Sequence, residues 1–201
     1  MLHHKRARNE QGMTLVELVV TMTITLMMGV AFYTFFKTNL LTYLNLQKDA
    51  SAFTNLSNES HRIATVVRGL TDITDANNND LTIYGYFYPT DTYVSLIRYY
   101  LNPTGTVLYA DVTPMTANPP IGSLITNQKK TYTIVSSFKL ATGVNLFTYL
   151  DSVGNPLTVP ITDLHTIKGV RINLAVTTAA ASSTNQAMYV DVSLRNRKTN
   201  L

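Results

Sequence analysis

The sequence predicts an α+β protein: one long N-terminal helix, half membrane-spanning and half amphipathic, packed on an antiparallel β-sheet head. Three observations predict it. Residues 13–36 form an apolar run with one acidic or basic side chain, Glu17. A helix-spaced apolar stripe continues that run to about residue 70. From Leu81 the apolar period shortens to two, in segments rich in β-branched and aromatic residues.

The apolar run reads from Met13 through Phe36, 24 residues. About 20 suffice to cross a bilayer as a helix. A basic leader, Lys5, Arg6 and Arg8, precedes it and ends at Gly12. Positive charge ahead of an apolar span holds that end on the cytoplasmic side, so the body of the chain is exported. An ordinary secretory signal is cut after its apolar stretch at a small-residue site. Here Lys37-Thr38-Asn39 follows the stretch, and the small residue, Gly12, lies before it. A cut at Gly12 removes the leader and keeps the helix. An ordinary signal peptide and an uncut anchor are the alternatives. Glu17 is the costly residue in this run, since a carboxylate deep in a bilayer costs about 2.5–3.5 kcal/mol on insertion scales. An intramembrane charge calls for a partner. The expected one is the cationic N-terminus of another copy or relative of this chain.

Beyond Phe36 the helix is expected to continue. Leu46, Ala50, Phe53, Leu56, Ile63, Val67 and Leu70 recur at threes and fours. Gln47, Lys48, Asp49, Asn55, Asn58 and Glu59 fill the other face. Gly69 is the expected stop. A helix over residues 13–69 is roughly 85 Å long at 1.5 Å per residue. Its second half lays the stripe on a sheet as core packing.

Strands are expected over Leu81–Tyr88, Tyr93–Leu101, Thr106–Val112, Thr131–Lys139, Val144–Leu150, Ile167–Thr177 and Ala187–Leu194, in an antiparallel sheet of five to seven. Asn102-Pro103-Thr104-Gly105 is turn chemistry and makes its flanking strands a hairpin. Residues 113–128, with Pro114, Pro119, Pro120 and Gly122, read as a loop; Asp151–Pro156 reads as a turn, and residues 178–186 as a low-complexity loop.

Sixteen Lys and Arg against twelve Asp and Glu give +4. Loss of residues 1–12 removes Lys5, Arg6, Arg8 and Glu10 and leaves thirteen against eleven, or +2. That is too mild to imply nucleic acid by charge. There are no cysteines, so disulfides play no part. His61 and His165 have no acidic neighbour at metal-ligand spacing, and no serine sits in a Gly-x-Ser-x-Gly elbow. No catalytic residue and no cofactor are expected. Asp75, Asn77, Asn79 and Asp80 place oxygens at near-alternating positions, a weak calcium pattern. Asp80 stands where such a loop needs Gly and Tyr86 where it needs Glu, so a solvated helix-to-sheet turn is preferred. Tyr84, Tyr86, Tyr88, Tyr93, Tyr99 and Tyr100 read as sheet packing ahead of a stacking surface. Lys129-Lys130 and Arg195-Asn196-Arg197-Lys198 are the best basic features for DNA, with a solvated turn and a frayed tail preferred.

Gly12-Met13-Thr14-Leu15-Val16-Glu17, with the basic leader before it and the apolar helix after it, resembles the class III signal of type IV prepilins and type II secretion pseudopilins. The resemblance covers about the first sixth of the chain. It implies that a membrane peptidase cuts between Gly12 and Met13 and methylates the new N-terminus. It also implies that Glu17 is the assembly glutamate. Met13 replaces the more usual Phe. No proline occurs before Pro89, so the partly melted helix of many major pilins does not carry over, nor does their C-terminal disulfide loop.

A second resemblance lies in Ser137-Phe138, Leu146–Pro156, Ile167–Leu174 and the strand ending at Arg195-Asn196. It is most similar to the larger W-type minor pilins and J-type pseudopilins. Together the two imply a leader over 1–12, a transmembrane or filament-core helix over 13–36, its amphipathic continuation over 37–70 and a β-rich head over 71–201. The implied function is a non-enzymatic minor pilin or pseudopilin subunit. It begins as a single-pass precursor in the cytoplasmic membrane, then enters a periplasmic or extracellular filament, where a place in the initiating tip complex is an option. The implied partners are other such subunits, prepilin peptidase, the inner-membrane assembly machinery and, before assembly, lipid. DNA or a surface ligand would make it a DNA-binding or adhesive tip subunit instead. An anchored receptor or enzyme is the remaining alternative.

Overall fold

The computed structural model describes residues 14–177 and 185–195. The chain divides into two compact units, one ending at Leu46 and one beginning at Gln47. One uninterrupted helix, α1 (Leu15–Arg68), runs through the division. Its continuity follows from the absence of proline and of any glycine but Gly29 inside it. Met13, the expected first residue, lies outside the described residues.

In the second unit, Leu56, Ile63, Val67 and Leu70 are buried, as the stripe requires. Each buried aliphatic side chain of this kind stabilises by roughly 1.5–3 kcal/mol. The stripe fails earlier: Ala50 is exposed and Phe53 is 40 % exposed. At about 100° per residue, Ala50 lies about 120° and Phe53 about 60° round the helix from Leu56. Asp49 and Ala52 take the inward positions there, and both are half-buried.

In the second unit α1 packs on strands that pair antiparallel throughout the described residues. Five form a meander in sequence order: β1 (Asp72–Asn77), β2 (Asp80–Gly85), β3 (Ser95–Leu101), β4 (Val107–Pro114) and β5 (Lys130–Ser136). Three more, β6 (Phe147–Leu150), β7 (Gly169–Thr177) and β8 (Asn185–Ser193), form a second sheet. The single sheet of five to seven strands is therefore corrected to two sheets and eight strands among the described residues. Ser137 causes the split. Its backbone is left-handed, at φ 60°, which turns the chain out of β5. Phe138 then bridges to Val176 of β7 rather than extending β5. The Phe138 N–H donates to the Thr106 carbonyl at 2.7 Å, so this residue ties both sheets together.

The expected turn holds β3 and β4. Asn102 Oδ1 accepts from the backbone N–H of Thr106 and Val107 at 2.7 and 3.0 Å. Gly105 supplies the positive φ, 67°, at no steric cost. β4 runs two residues past its expected end, and an isolated pair, Met115 with Leu124, prolongs its hairpin into the expected loop. Both sheets and α1 share one hydrophobic core, with Tyr99, Phe138, Phe147 and Tyr149 as its largest buried side chains.

Candidate functional site

The amino end of α1 is built as a cap. Thr14 lies just outside the helix, and its Oγ1 accepts from the Glu17 N–H at 3.3 Å. Thr14-Leu15-Val16-Glu17 has the Thr-x-x-Glu pattern of a capping box, a signal legible in the sequence. Glu17 thus sits in the first turn, where the helix dipole favours negative charge. Among the described residues no cation pairs with its carboxylate.

The threonines of the helix, and Asn39 beyond the run, bond back to helix carbonyls. Thr21 donates to the Leu18 carbonyl, Thr23 to Val19, Thr25 to Thr21, Thr34 to Val30 and Thr38 to Thr34, at 2.7–3.0 Å. Asn39 does the same to Phe35 at 2.8 Å. In hydrocarbon every polar group must find such a partner. These side chains therefore suit lipid or a dry helix bundle, and Glu17 stands apart.

The apolar residues of this unit are all open. Leu15, Val16, Leu26, Phe32 and Phe36 are exposed, and so are Leu40, Leu41, Tyr43, Leu44 and Leu46 beyond the expected span. α1 is long and apolar enough to cross a membrane, and none of its most apolar window is buried.

Residues 7–33 match the family model of the prokaryotic N-terminal methylation motif. That motif is the prepilin signal of type IV pilins, so the chain carries a prepilin-type signal and the match supports the pilin and pseudopilin class. No curated protein matches the chain. The matched stretch contains Gly12, Met13 and Glu17. Gly12 and Met13 lie outside the described residues, and Glu17 stands on the first turn of α1. The signal fits a single-pass anchor in the inner membrane and association with pilin-type subunits and their peptidase.

In the head, the candidate calcium residues do not form a loop. The expected solvated turn is a strand pair: Asn77 opposes Asp80 across Asn78-Asn79, at the tip of the β1–β2 hairpin. Asp75 accepts from Asn77 Nδ2 at 2.9 Å. Asp80 is taken by Arg98, whose Nε donates to Oδ2 at 2.8 Å. That bond, with the attraction of the carboxylate, raises the Arg98 pKa further. Asn79 Oδ1 accepts from the Leu146 N–H at 3.2 Å, and the Asn78 carbonyl accepts from the Phe147 N–H at 2.9 Å. The buried Tyr149 hydroxyl donates to the Asn77 carbonyl at 2.8 Å, and burial drives its pKa well above that of a free tyrosine. The segment is a clamp between the two sheets. No sequence signal pointed to it, because its partners lie about 70 residues away. Among the described residues no cluster of three or more His, Cys, Asp or Glu is placed to hold a metal ion.

The six tyrosines part company. Tyr99 is buried in the core, while Tyr84 and Tyr100 are half-buried on β2 and β3. Tyr86, Tyr88 and Tyr93 are exposed and lie in the connection between β2 and β3, a correction to the strands expected to contain them. Of the basic features, Lys129 is paired with the buried Asp111 at 2.7 Å. Arg195 is described, and residues 196–198 lie outside the described residues. His61 and His165 are both exposed.

Proposed function

We propose that this chain is a minor pilin or pseudopilin subunit, cut after Gly12, methylated at Met13 and drawn from the bilayer into a filament by its N-terminal helix. It works without catalysis, within or near the complex that initiates the filament. The organisation that goes with this reading is a leader over 1–12, a membrane or filament-core helix over 13–36, its continuation to 70 and a head to 201.

One observation carries the reading beyond the motif. The open apolar surface from Leu15 to Leu46 spans 32 residues, or about 48 Å of helix. A bilayer core is about 30 Å thick. Tilt absorbs some of the excess, but Leu40 to Leu46 carry five open apolar residues. Protein neighbours cover such a surface where lipid ends. Glu17 adds register to that association. Unpaired in a dry setting its carboxylate is expensive, and pairing with a neighbour's cationic N-terminus removes the penalty only at the correct axial offset.

The finer assignment to W-type minor pilins or J-type pseudopilins rests on the Asp151 turn and the strand that follows it. The Asp151 carboxylate organises its turn by accepting from the Val153 and Asn155 N–H groups at 2.8 Å. Those bonds, that to Asn155 first, hold it below the usual carboxylate pKa. The strand Val170–Leu174 follows on β7.

The test is processing and assembly in cells that carry the peptidase. N-terminal sequencing should place the mature start at Met13. Glu17→Ala should leave membrane insertion and head folding intact and lower recovery in sheared filaments about tenfold or more. Thr14→Ser, which keeps the cap, is the control. Glu17→Ala entering filaments as wild type does would sink the pairing role.

A further inference from the structure

The head carries a preformed aromatic cleft with no structural duty assigned to it. It lies where β3 begins and β4 ends, in a volume of about 380 Å³. Its walls include Tyr88, Tyr93 and Tyr132, with Asp91, Gln128 and Lys130 among its polar groups. Val112 and Met115, both buried, lie beneath. Tyr88 and Tyr93 are 41 % and 44 % exposed, open to solvent despite their size.

Tyr88 and Tyr132 are packed from behind. Phe87, almost fully buried, stacks on Tyr132 with centroids 5.0 Å apart and meets Tyr88 edge-on at 4.9 Å. Tyr88 meets Tyr132 edge-on at 6.3 Å. On α1, the Arg62 guanidinium lies 4.5 Å from the Phe87 ring centre and 5.5 Å from that of Tyr88, and Glu59 holds it at 3.6 Å. Asp91 Oδ2 accepts from the Tyr88 N–H at 2.9 Å, which fixes the loop. Tyr88 and Tyr132, held in this way, lose little conformational freedom when a ligand arrives.

The chemistry of the walls selects the ligand. Exposed tyrosine faces take flat apolar surfaces and offer hydroxyls at the rim. Single-stranded nucleic acid also stacks on such faces, but it needs a positively charged track for its phosphates. Here the lining offers one ammonium, Lys130, and one carboxylate, Asp91, rather than a basic track, and a phosphate beside Asp91 would be repelled. A pyranose ring needs the mixture present: an aromatic platform for its C–H face, with a carboxylate, an amide and an ammonium for its hydroxyls. A second groove of about 490 Å³, lined by Arg62, Val66 and Tyr86 among others, shares Tyr88 as a wall. The two together suit a chain of sugars better than one.

We propose that this cleft binds a neutral saccharide chain, with pyranose rings on Tyr88 and Tyr93 and hydroxyls bonded to Asp91, Gln128 and Lys130. The site gives substance to an adhesive role for the head. It stands apart from assembly, because binding is measured on dispersed protein and assembly on filaments.

The experiment uses the full-length protein in a detergent without a sugar headgroup, such as an amine oxide. Cellohexaose, maltohexaose, chitohexaose and a twelve-residue oligothymidylate are titrated separately. Calorimetry and tyrosine fluorescence serve as readouts, the latter uncomplicated because the chain has no tryptophan. At least one hexasaccharide should bind saturably with Kd below about 1 mM. Tyr93→Ala should weaken it about tenfold, and Asp91→Asn, which keeps the acceptor for the Tyr88 N–H, about threefold. Tyr189→Ala, at an exposed tyrosine on β8, should leave it unchanged. Circular dichroism melts confirm that each variant folds. The assignment is overturned by no saturable binding of any hexasaccharide at 10 mM, by binding of the oligothymidylate alone, or by undiminished affinity in a folded Tyr93→Ala protein.

Discussion

Two stretches of one helix, Leu15–Leu46 and Gln47–Arg68, share a backbone and differ in how they meet their surroundings. In the first, large apolar side chains are open on every side and polar side chains bond back to the helix itself. In the second, one face is buried against strands and the other carries ordinary polar residues. Satisfying the threonine hydroxyls locally frees the first stretch from a fixed partner, so it is suited first to lipid and then to other helices. The second is committed to its own head. The lesson is that apolar residues at helical spacing do not report what covers them. Their angular position relative to the packed face does.

The largest test of that contrast compares neighbours three residues apart. Leu56→Ala, at a position 1 % exposed, should destabilise the head by about 2–5 kcal/mol in denaturant melts. Phe53→Ala should cost about 1 kcal/mol or less, because the side chain is 40 % exposed and is not among the buried core residues. It should lower filament recovery instead. Equal stability losses at both sites would break the comparison.

A smaller effect probes how the head keeps its two sheets together. Tyr149→Phe removes the hydroxyl bonded to the Asn77 carbonyl and leaves that acceptor without this donor. A loss of about 1–3 kcal/mol is expected, with the midpoint shifting and the m-value unchanged. A falling m-value would mean that the sheets separate before the head unfolds.

The smallest effect concerns pH and should arise in the head alone. Asp111 is buried on β4, and burial by itself would raise its pKa. Its bonds to Lys129 at 2.7 Å and Thr131 at 2.6 Å outweigh that and hold it below the usual carboxylate value. Arg171, bonded to Asp191 at 2.6 Å, lowers that group in the same way. A carboxylate whose folded pKa is depressed contributes stability that is present above its unfolded value and lost as pH falls through its folded value. Head stability should therefore decline below about pH 4. Asp111→Asn should be less stable than wild type at neutral pH, with the gap narrowing as pH falls through that range. A gap independent of pH would assign Asp111 a packing role only.

Local signals settled much from sequence alone. The apolar run, its leader and Glu17 follow from composition and spacing within about 20 residues. The helix through Arg68 follows from the absence of breakers, and the β3–β4 hairpin from Asn102 and Gly105. In each case the deciding forces act between near neighbours. Tertiary structure decided the rest, through contacts that no local window contains. β1 looked like a polar turn because Asp72, Asp75 and Asn77 mask the two inward residues, Ile73 and Ala76. Its pairing with β2 and the docking of Asn77–Asn79 on β6 made it a strand. Ser137 ended β5 and divided one sheet into two. Tyr86 and Tyr88 had the period of a strand, yet Phe87 between them anchors in the core beside Arg62 of α1, and the buried Val94 does the same beside Tyr93, leaving those rings outward. Period two records which residues alternate, while the choice between a sheet and a cleft rests on what the intervening residue finds to pack against.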